Sequence, residues 1–189
     1  SCSSRVMSRS RALSGAEIRP RHWDAFFAFY MDTGGRKWGR PYLTREFFDC
    51  IGADMAEQIV LMLAEKDGQP VAGALNLRGA DALYGRNWGC LVDYKFLHFE
   101  TCYYQAIEYA IAHGIARVEA GAQGEHKIQR GYLPVATWSA HWIRDPNFAA
   151  AVEDYLGRER RDVEAEMLAL ATYAPFRCDL AETNDRSND

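Results

Sequence analysis

The chain has 189 residues, 48% hydrophobic and 13% aromatic, enough apolar surface for one folded domain and incompatible with disorder throughout. Its formal net charge of −4 excludes the overall basic footprint of a dedicated nucleic-acid binder, although a local basic groove stays open. The five cysteines are scattered, odd in number and without a C-x-x-C pair, which reads as mostly buried thiols of a soluble cytoplasmic protein, and no run nears the roughly 20 apolar residues of a membrane span.

Residues 1–16 are rich in Ser and Arg and lack a hydrophobic period, so they read as a flexible linker or expression remnant. From Pro20 the spacing of Trp23, Phe26, Phe27 and Tyr30 predicts a helix that Gly34-Gly35 should stop. A second helix follows, with Thr44 as its cap and Leu43, Phe47, Ile51 and Met55 at helical spacing. The runs 59–66 and 70–77 flank Asp67-Gly68, the signature of a β-hairpin. A third strand is expected from Ala82 to Trp88, where Gly85 and Gly89 point to a bulge or a close ligand approach.

Asp93 is the predicted cap of a helix of about 17 residues, whose inner face is Phe96, Phe99, Tyr103, Ala106, Ile107 and Ala110 and whose end is His113-Gly114. Arg117 to Ala120 is the next strand, and a short helix should start near Glu125 and end by Gly131 or Pro134. Ala136 to Ile143 has the aromatic and β-branched character of a strand. Asp145-Pro146 opens a last helix of about 25 residues with Phe148, Val152, Tyr155, Leu156, Val163, Met167 and Leu170 inward. Its charge run, Arg158 to Asp162, reads as a solvated face, with an RNA-backbone contact as the alternative. The tail, 179–189, is too polar to bury anything and is expected to be disordered.

This order predicts an α/β fold with at least one parallel crossover, and ligands of such sheets bind where strand ends part. The natural place is between the strand ending at Trp88 and the strand ending at Ala120. Beyond the latter lies Gly121-Ala122-Gln123-Gly124-Glu125-His126-Lys127, glycines that let amides approach a ligand followed by an acid, an imidazole and an ammonium. Glu125 and His126 are the candidate proton acceptors, against the plainer reading of a helix-start acid and a surface imidazole. Lys127 and Arg130 are candidates to hold a carboxylate or phosphate, with Gln123 and Gly124 beside them. Arg86, with Tyr84 on its face by the period of two, then Asn87 and Trp88, are substrate-contact candidates or simple sheet packing. Glu100 is either an acid with a raised pKa or a satisfied buried hydrogen-bonding group. His141 either faces the same cleft or is structural. Trp38, Arg40 and Tyr42 lie on the loop between the first two helices, as contacts or as loop anchors. No His and Cys set has zinc-like spacing, so no metal is expected.

The motifs Trp38-Gly39-Arg40-Pro41-Tyr42-Leu43-Thr44-Arg45, Leu83-Tyr84-Gly85-Arg86-Asn87-Trp88-Gly89-Cys90, Leu97-His98-Phe99-Glu100-Thr101-Cys102-Tyr103-Tyr104-Gln105 and Gly121 to Lys127 with Arg130-Gly131-Tyr132-Leu133-Pro134 resemble the FemAB-like family of GNAT proteins labelled peptidoglycan biosynthesis or recognition. The resemblance spans about Ile18 to Arg177. It implies a GNAT-like domain over 17–178: a mixed central sheet flanked by helices, with an extra long C-terminal helix. It also implies an N-acyltransferase moving an acyl or aminoacyl group from an activated donor to a small-molecule or peptide amine, in cell-wall peptide metabolism. The alternative is a non-catalytic recognition or assembly domain that binds a peptide or protein partner.

Family members carry two GNAT-like domains, and this chain resembles the second, which implies a partner domain elsewhere. Acetyl-CoA-dependent relatives carry a Q/R-x-x-G-x-G/A loop before the long helix, whereas Asn87 to Phe96 lacks those glycines. Where many relatives place a Tyr four residues before a Gly-Phe pair as the acid for the leaving thiolate, Lys127 precedes Gly131-Tyr132 here and is the third catalytic candidate, to protonate or electrostatically stabilise the leaving group. These departures match Fem-type relatives that use aminoacyl-tRNA, so the donor is read as aminoacyl-tRNA or acyl-CoA, with no permanently bound cofactor. A tRNA partner stays open, and membrane insertion is not expected.

Overall fold

The computed structural model describes residues 9–37, 39, 41–121 and 124–176, and the chain falls into two compact units, Ser1–Ala122 and Gln123–Asp189. The expected tail, 179–189, lies outside the described residues.

The first unit is built on a five-stranded sheet in the order β1-β2-β3-β4-β5, with β1 Arg9–Ser14, β2 Ile59–Lys66, β3 Gln69–Arg78, β4 Ala82–Cys90 and β5 Arg117–Glu119. Neighbours run antiparallel except β4 and β5, which are parallel because a helical crossover joins them. The β2–β3 hairpin turns on Asp67 and Gly68, both at positive φ (53° and 75°), the left-handed pair that an Asp-Gly turn supplies at low cost. β2 is buried on both faces over its first six residues, which explains its unbroken apolar run.

One face of the sheet is covered by α1, Pro20–Lys37, and α2, Arg45–Asp54. Trp23, Phe26, Phe29, Tyr30 and Phe48 pack there on Ile59, Leu61, Leu63 and Leu75. Phe48 sits 5.6–5.9 Å, centroid to centroid, from the rings of Trp23, Phe26, Phe27 and Tyr30. Thr44 caps α2, its hydroxyl accepting from the Phe47 N–H at 3.4 Å. The other face is covered by α3, which runs from Leu97–Phe99 through a π-helical turn at Glu100–Tyr104 into Gln105–Ala112 and closes at His113-Gly114. Ala106 and Tyr109 of α3 meet Val60, Met62, Ala74 and Leu83.

Gly73 and Gly89 are cross-strand partners, and α1 lies directly over them. A Cβ at Gly89 would stand 2.4 Å from the backbone carbonyl of Phe29, and one at Gly73 would stand 3.0 Å from the Phe26 ring. The predicted close approach at Gly89 is therefore real, but the visitor is a helix.

Three expectations in this unit are corrected. Residues 9–14 are not linker: β1 pairs with β2 along its length and buries Leu13, a single apolar anchor too sparse to register as a hydrophobic period. Gly34-Gly35 does not stop α1, because Gly34 lies against Pro41 and the next turn bonds to the end of β4, outweighing a propensity cost of about 1 kcal/mol per glycine. Asp93 does not cap α3, whose N-cap is Phe96 at φ 69°, because the Leu97 N–H turns back onto the Tyr94 carbonyl at 3.1 Å.

The second unit begins with a 3₁₀ turn, Glu125–Arg130, ended by Gly131 at φ 89° with the Phe176 ring packed over it. It continues to α4, Pro146–Ala171, capped by Asp145, whose carboxylate accepts from the Asn147 and Phe148 N–H groups at 2.9 Å each. Between them, 136–143 forms no strand; its aromatic, β-branched pattern is there, but among the described residues no ladder partner is. Nor does α4 turn its stripe inward, since none of its residues is buried and Phe148 is 60% exposed. Ile128 is the one buried residue among the described residues of this unit.

Candidate functional site

The parallel pairing of β4 with β5 lasts three residues, Ala82↔Arg117, Leu83↔Val118 and Tyr84↔Glu119. The strands still touch at Gly85, where a Cβ would stand 3.5 Å from the Glu119 carbonyl oxygen. From Arg86 to Cys90, β4 continues without β5 beside it, so the sheet forks at the predicted place.

A β-bulge sits at this fork. Leu75 pairs with Asn87 and Asn76 with Gly85, which leaves Arg86 as the extra residue with no cross-strand partner. Arg86 is exposed and its Nη2 donates to the Tyr42 hydroxyl at 2.9 Å. Tyr42 is placed from the core outward: its own N–H and that of Leu43 both donate to the hydroxyl of buried Tyr30 at 3.2 Å. Among the described residues no carboxylate pairs with Arg86, whereas Arg11, Arg36, Arg45 and Arg117 each hold at least one.

The other sequence candidates in this unit are dispersed. Tyr84 leans back over the β3–β4 turn, its ring 3.1 Å from where a Gly79 Cβ would stand. Asn87 is half-buried, with Oδ1 unpartnered. Trp88 lies on the α3 side, edge-on to His98 at 5.2 Å, and His98 lies in turn 5.4 Å from the Tyr103 ring. Glu100 is half-buried in the π-helical turn and accepts from Gln105 Nε2 at 2.9 Å, which is the satisfied hydrogen-bonding role. Trp38 and Arg40 lie outside the described residues.

In the second unit one turn collects Gly124, His126, Lys127 and Arg130. The His126 ring folds over Gly124, where a Cβ would stand 2.6 Å from Cε1, and φ 102° there also requires glycine. Arg130 donates through Nη1 to the His126 carbonyl. Lys127 is half-buried, and that burial pushes its ammonium pKa below the ordinary lysine value. His141 lies apart on an exposed segment, its Nε2 2.9 Å from the Ser139 hydroxyl, so the expected strand placement fails for it. Gln123 and the Glu125 side chain lie outside the described residues.

Sequence reasoning missed three features of the fork. Glu119 ends β5 at the fork, with its carboxylate 3.4 Å from Arg117 Nη1; its position as the last strand residue was the available signal. Tyr30 was read as core packing alone, although its hydroxyl holds the 42–43 backbone. The end of β4 is gripped by α1, where Thr33 Oγ1 accepts from the Cys90 N–H at 3.0 Å and Arg36 Nη2 donates to the Cys90 carbonyl at 2.8 Å.

The loop from Cys90 to Phe96 tests whether a coenzyme pyrophosphate fits. Every residue in it carries a Cβ, Phe96 takes a left-handed conformation, and the Leu97 and Glu100 N–H groups are engaged by the Tyr94 and Phe96 carbonyls. A glycine-lined amide cradle is absent from this loop, so it does not fit that group.

Among the described residues no helix is long and apolar enough to cross a membrane. Solved structures similar to this chain include acetyltransferases. An aminoglycoside acetyltransferase from an uncultured soil metagenomic sample, in complex with sisomicin, aligns at a TM-score of 0.50 and 8% identity, covering 73% of this chain and 95% of that one. Aminoglycoside N-acetyltransferase AAC(6')-Iy in complex with CoA aligns at 0.49 and 10% identity, covering 73% and 97%. A ribosomal-protein-alanine N-acetyltransferase from Brucella melitensis biovar Abortus 2308 aligns at 0.47 and 15%, covering 73% and 99%. No curated protein sequence matches the chain significantly. The first alignment and the forked mixed sheet with its flanking and C-terminal helices establish a GNAT fold. The FemAB-like family, described as peptidoglycan biosynthesis/recognition, matches residues 4–178, and the chain belongs to that family.

Proposed function

We propose that the chain is an N-acyltransferase that moves an acyl or aminoacyl group from an activated donor to an amine in cell-wall peptide metabolism. The observation that carries this reading is the fork itself, where β4 leaves an open edge from Arg86 to Cys90 beside the end of β5. Such an edge offers backbone donors and acceptors to an extended substrate. The family's description as peptidoglycan biosynthesis/recognition supports the cell-wall setting.

In this reaction the amine nitrogen attacks the donor carbonyl, a C–N bond forms, and the bond from that carbon to the leaving sulfur or oxygen breaks. Glu125 or His126 accepts the proton shed by nitrogen. Lys127 gives a proton to the departing thiolate or alkoxide, a transfer that its lowered pKa favours. Arg130 and the loop amides stabilise the developing oxyanion. The poor fit of the Cys90 to Phe96 loop to a pyrophosphate favours an aminoacyl-tRNA donor over acyl-CoA, and a second GNAT domain is the proposed partner.

Calorimetric titration with CoA and acetyl-CoA, followed by turnover assays with aminoacyl-tRNA and an amine acceptor, tests the reading. No coenzyme binding together with aminoacyl transfer is the expected result. Turnover should fall about 10²–10⁴-fold in whichever of Glu125→Gln and His126→Ala removes the base. Full rates in both folded variants remove these residues from the mechanism, and ligand binding without turnover on any donor would make the chain a recognition domain.

A further inference from the structure

We propose that Arg86 is the receptor for a carboxylate of the amine substrate, so that the acceptor is an amino acid or peptide bearing a free carboxylate near its reactive amine. The proposal deepens the acyl-transfer reading and depends on it only in calling this ligand the acceptor.

Three observations converge on Arg86. Its position as the extra residue of a bulge frees its side chain from cross-strand pairing at the very point where β5 has left β4. Its partner is a phenol, not an acid: the Tyr42 hydroxyl takes one N–H of the guanidinium and fixes its plane without neutralising it. A guanidinium carries five donors in a rigid fork, so those on the remaining edge match the two oxygens of a planar carboxylate. Its support is also rigid, because the Tyr42 backbone is pinned to the buried Tyr30 hydroxyl, and pre-orienting an arginine in this way reduces the ordering cost of binding.

The charge count selects the ligand class. Among the described residues around the fork, Arg117 is paired with Asp81 and Glu119, and Arg36 with Asp32, whereas Arg86 holds no carboxylate. One guanidinium matches one carboxylate, whereas a polyphosphate or nucleic-acid backbone calls for several cations together.

The test is calorimetric titration of the full chain with the tripeptide Ala-Lys-Ala as its free acid and as its C-terminal amide, with inorganic phosphate as competitor. The acid should bind at least about tenfold more tightly than the amide, the scale of a charge-assisted paired hydrogen bond. In Arg86→Gln the difference should fall below about twofold, and in Arg86→Lys, which keeps the charge and the fold but loses the fork, it should be intermediate. Equal binding of acid and amide by the native chain, a preference that survives in Arg86→Gln, no binding of either peptide, or displacement by phosphate at matching affinity would each overturn the proposal. The readout involves no donor and no turnover, so failure of the acyl-transfer reading and failure of this one are seen separately.

Discussion

Replacing Gly89 by alanine puts a methyl carbon 2.4 Å from the carbonyl carbon and oxygen of Phe29 and 2.8 Å from its Cβ. These are atoms of α1 close to its axis, so no rotamer change relieves the contact and the helix itself must move off the sheet. Overpacking of a core costs about 1–3 kcal/mol, and an obstruction made of backbone belongs at the upper end, near 3 kcal/mol. At about 2–4 °C per kcal/mol for a chain of this size, Tm should fall by roughly 6–12 °C. Gly157 gives the contrasting case: it lies inside α4 with nothing within 4 Å of its absent Cβ, so Gly157→Ala should stabilise its helix by about 0.5–1 kcal/mol. Urea denaturation followed by far-UV circular dichroism measures both. A Gly89→Ala protein within 0.5 kcal/mol of the native chain would refute the argument that α1 is seated on this glycine.

The buried His22 imidazole is held below its ordinary value of 6.5 by burial first, and then by the Arg21 and Arg11 charges. The unfolded chain therefore takes up the proton first, so stability is fully present above pH 6.5 and declines as pH falls below it towards the folded value. Urea midpoints measured from pH 8 to 5 should show that slope, and His22→Gln should flatten it. Asp145→Ala removes two 2.9 Å bonds at the start of α4 and should cost about 1–2 kcal/mol, whereas Thr44→Ala removes one 3.4 Å bond and should cost about 0.5–1 kcal/mol; helix content and urea midpoints rank the two.

The features legible in the sequence are those whose cause is local. Asp67-Gly68, Thr44, Asp145, His113-Gly114 and Gly131 each act within a few residues, through a positive φ or a side-chain cap, and each stands where the sequence placed it. What the sequence hid depends on distant partners. β1 owes its existence to β2, more than forty residues away, and Leu13 alone gives no period to detect. Conversely, among the described residues 136–143 has strand composition without a ladder, and α4 has an apolar stripe that none of them buries. The individual candidates Tyr42 and Arg86 could be named, but their contact joins residues 44 apart and depends on one extra residue in β4, a register event that composition does not encode.

The parts of the first unit that look like packing and the parts that look like a site share one support. α1 touches the open edge of β4 at three levels: Tyr30 fixes the loop that presents Tyr42 to Arg86, the Phe29 backbone rests on Gly89, and Thr33 and Arg36 grip Cys90. The helix continues through Gly34-Gly35 because its last turn is needed for that third contact, which is why a local stop signal loses to tertiary bonds. Tyr30 and Phe29 are adjacent, so a methyl group that lifts Phe29 from the sheet must also displace the hydroxyl that holds residues 42 and 43. Gly89→Ala should therefore weaken the acid-over-amide preference at Arg86 along with stability, although Gly89 lies three residues from that arginine and makes no contact with a ligand there. If the preference survives intact in a protein measurably destabilised at Gly89, then Arg86 is oriented by the bulge alone and the Tyr30–Tyr42 relay is dispensable.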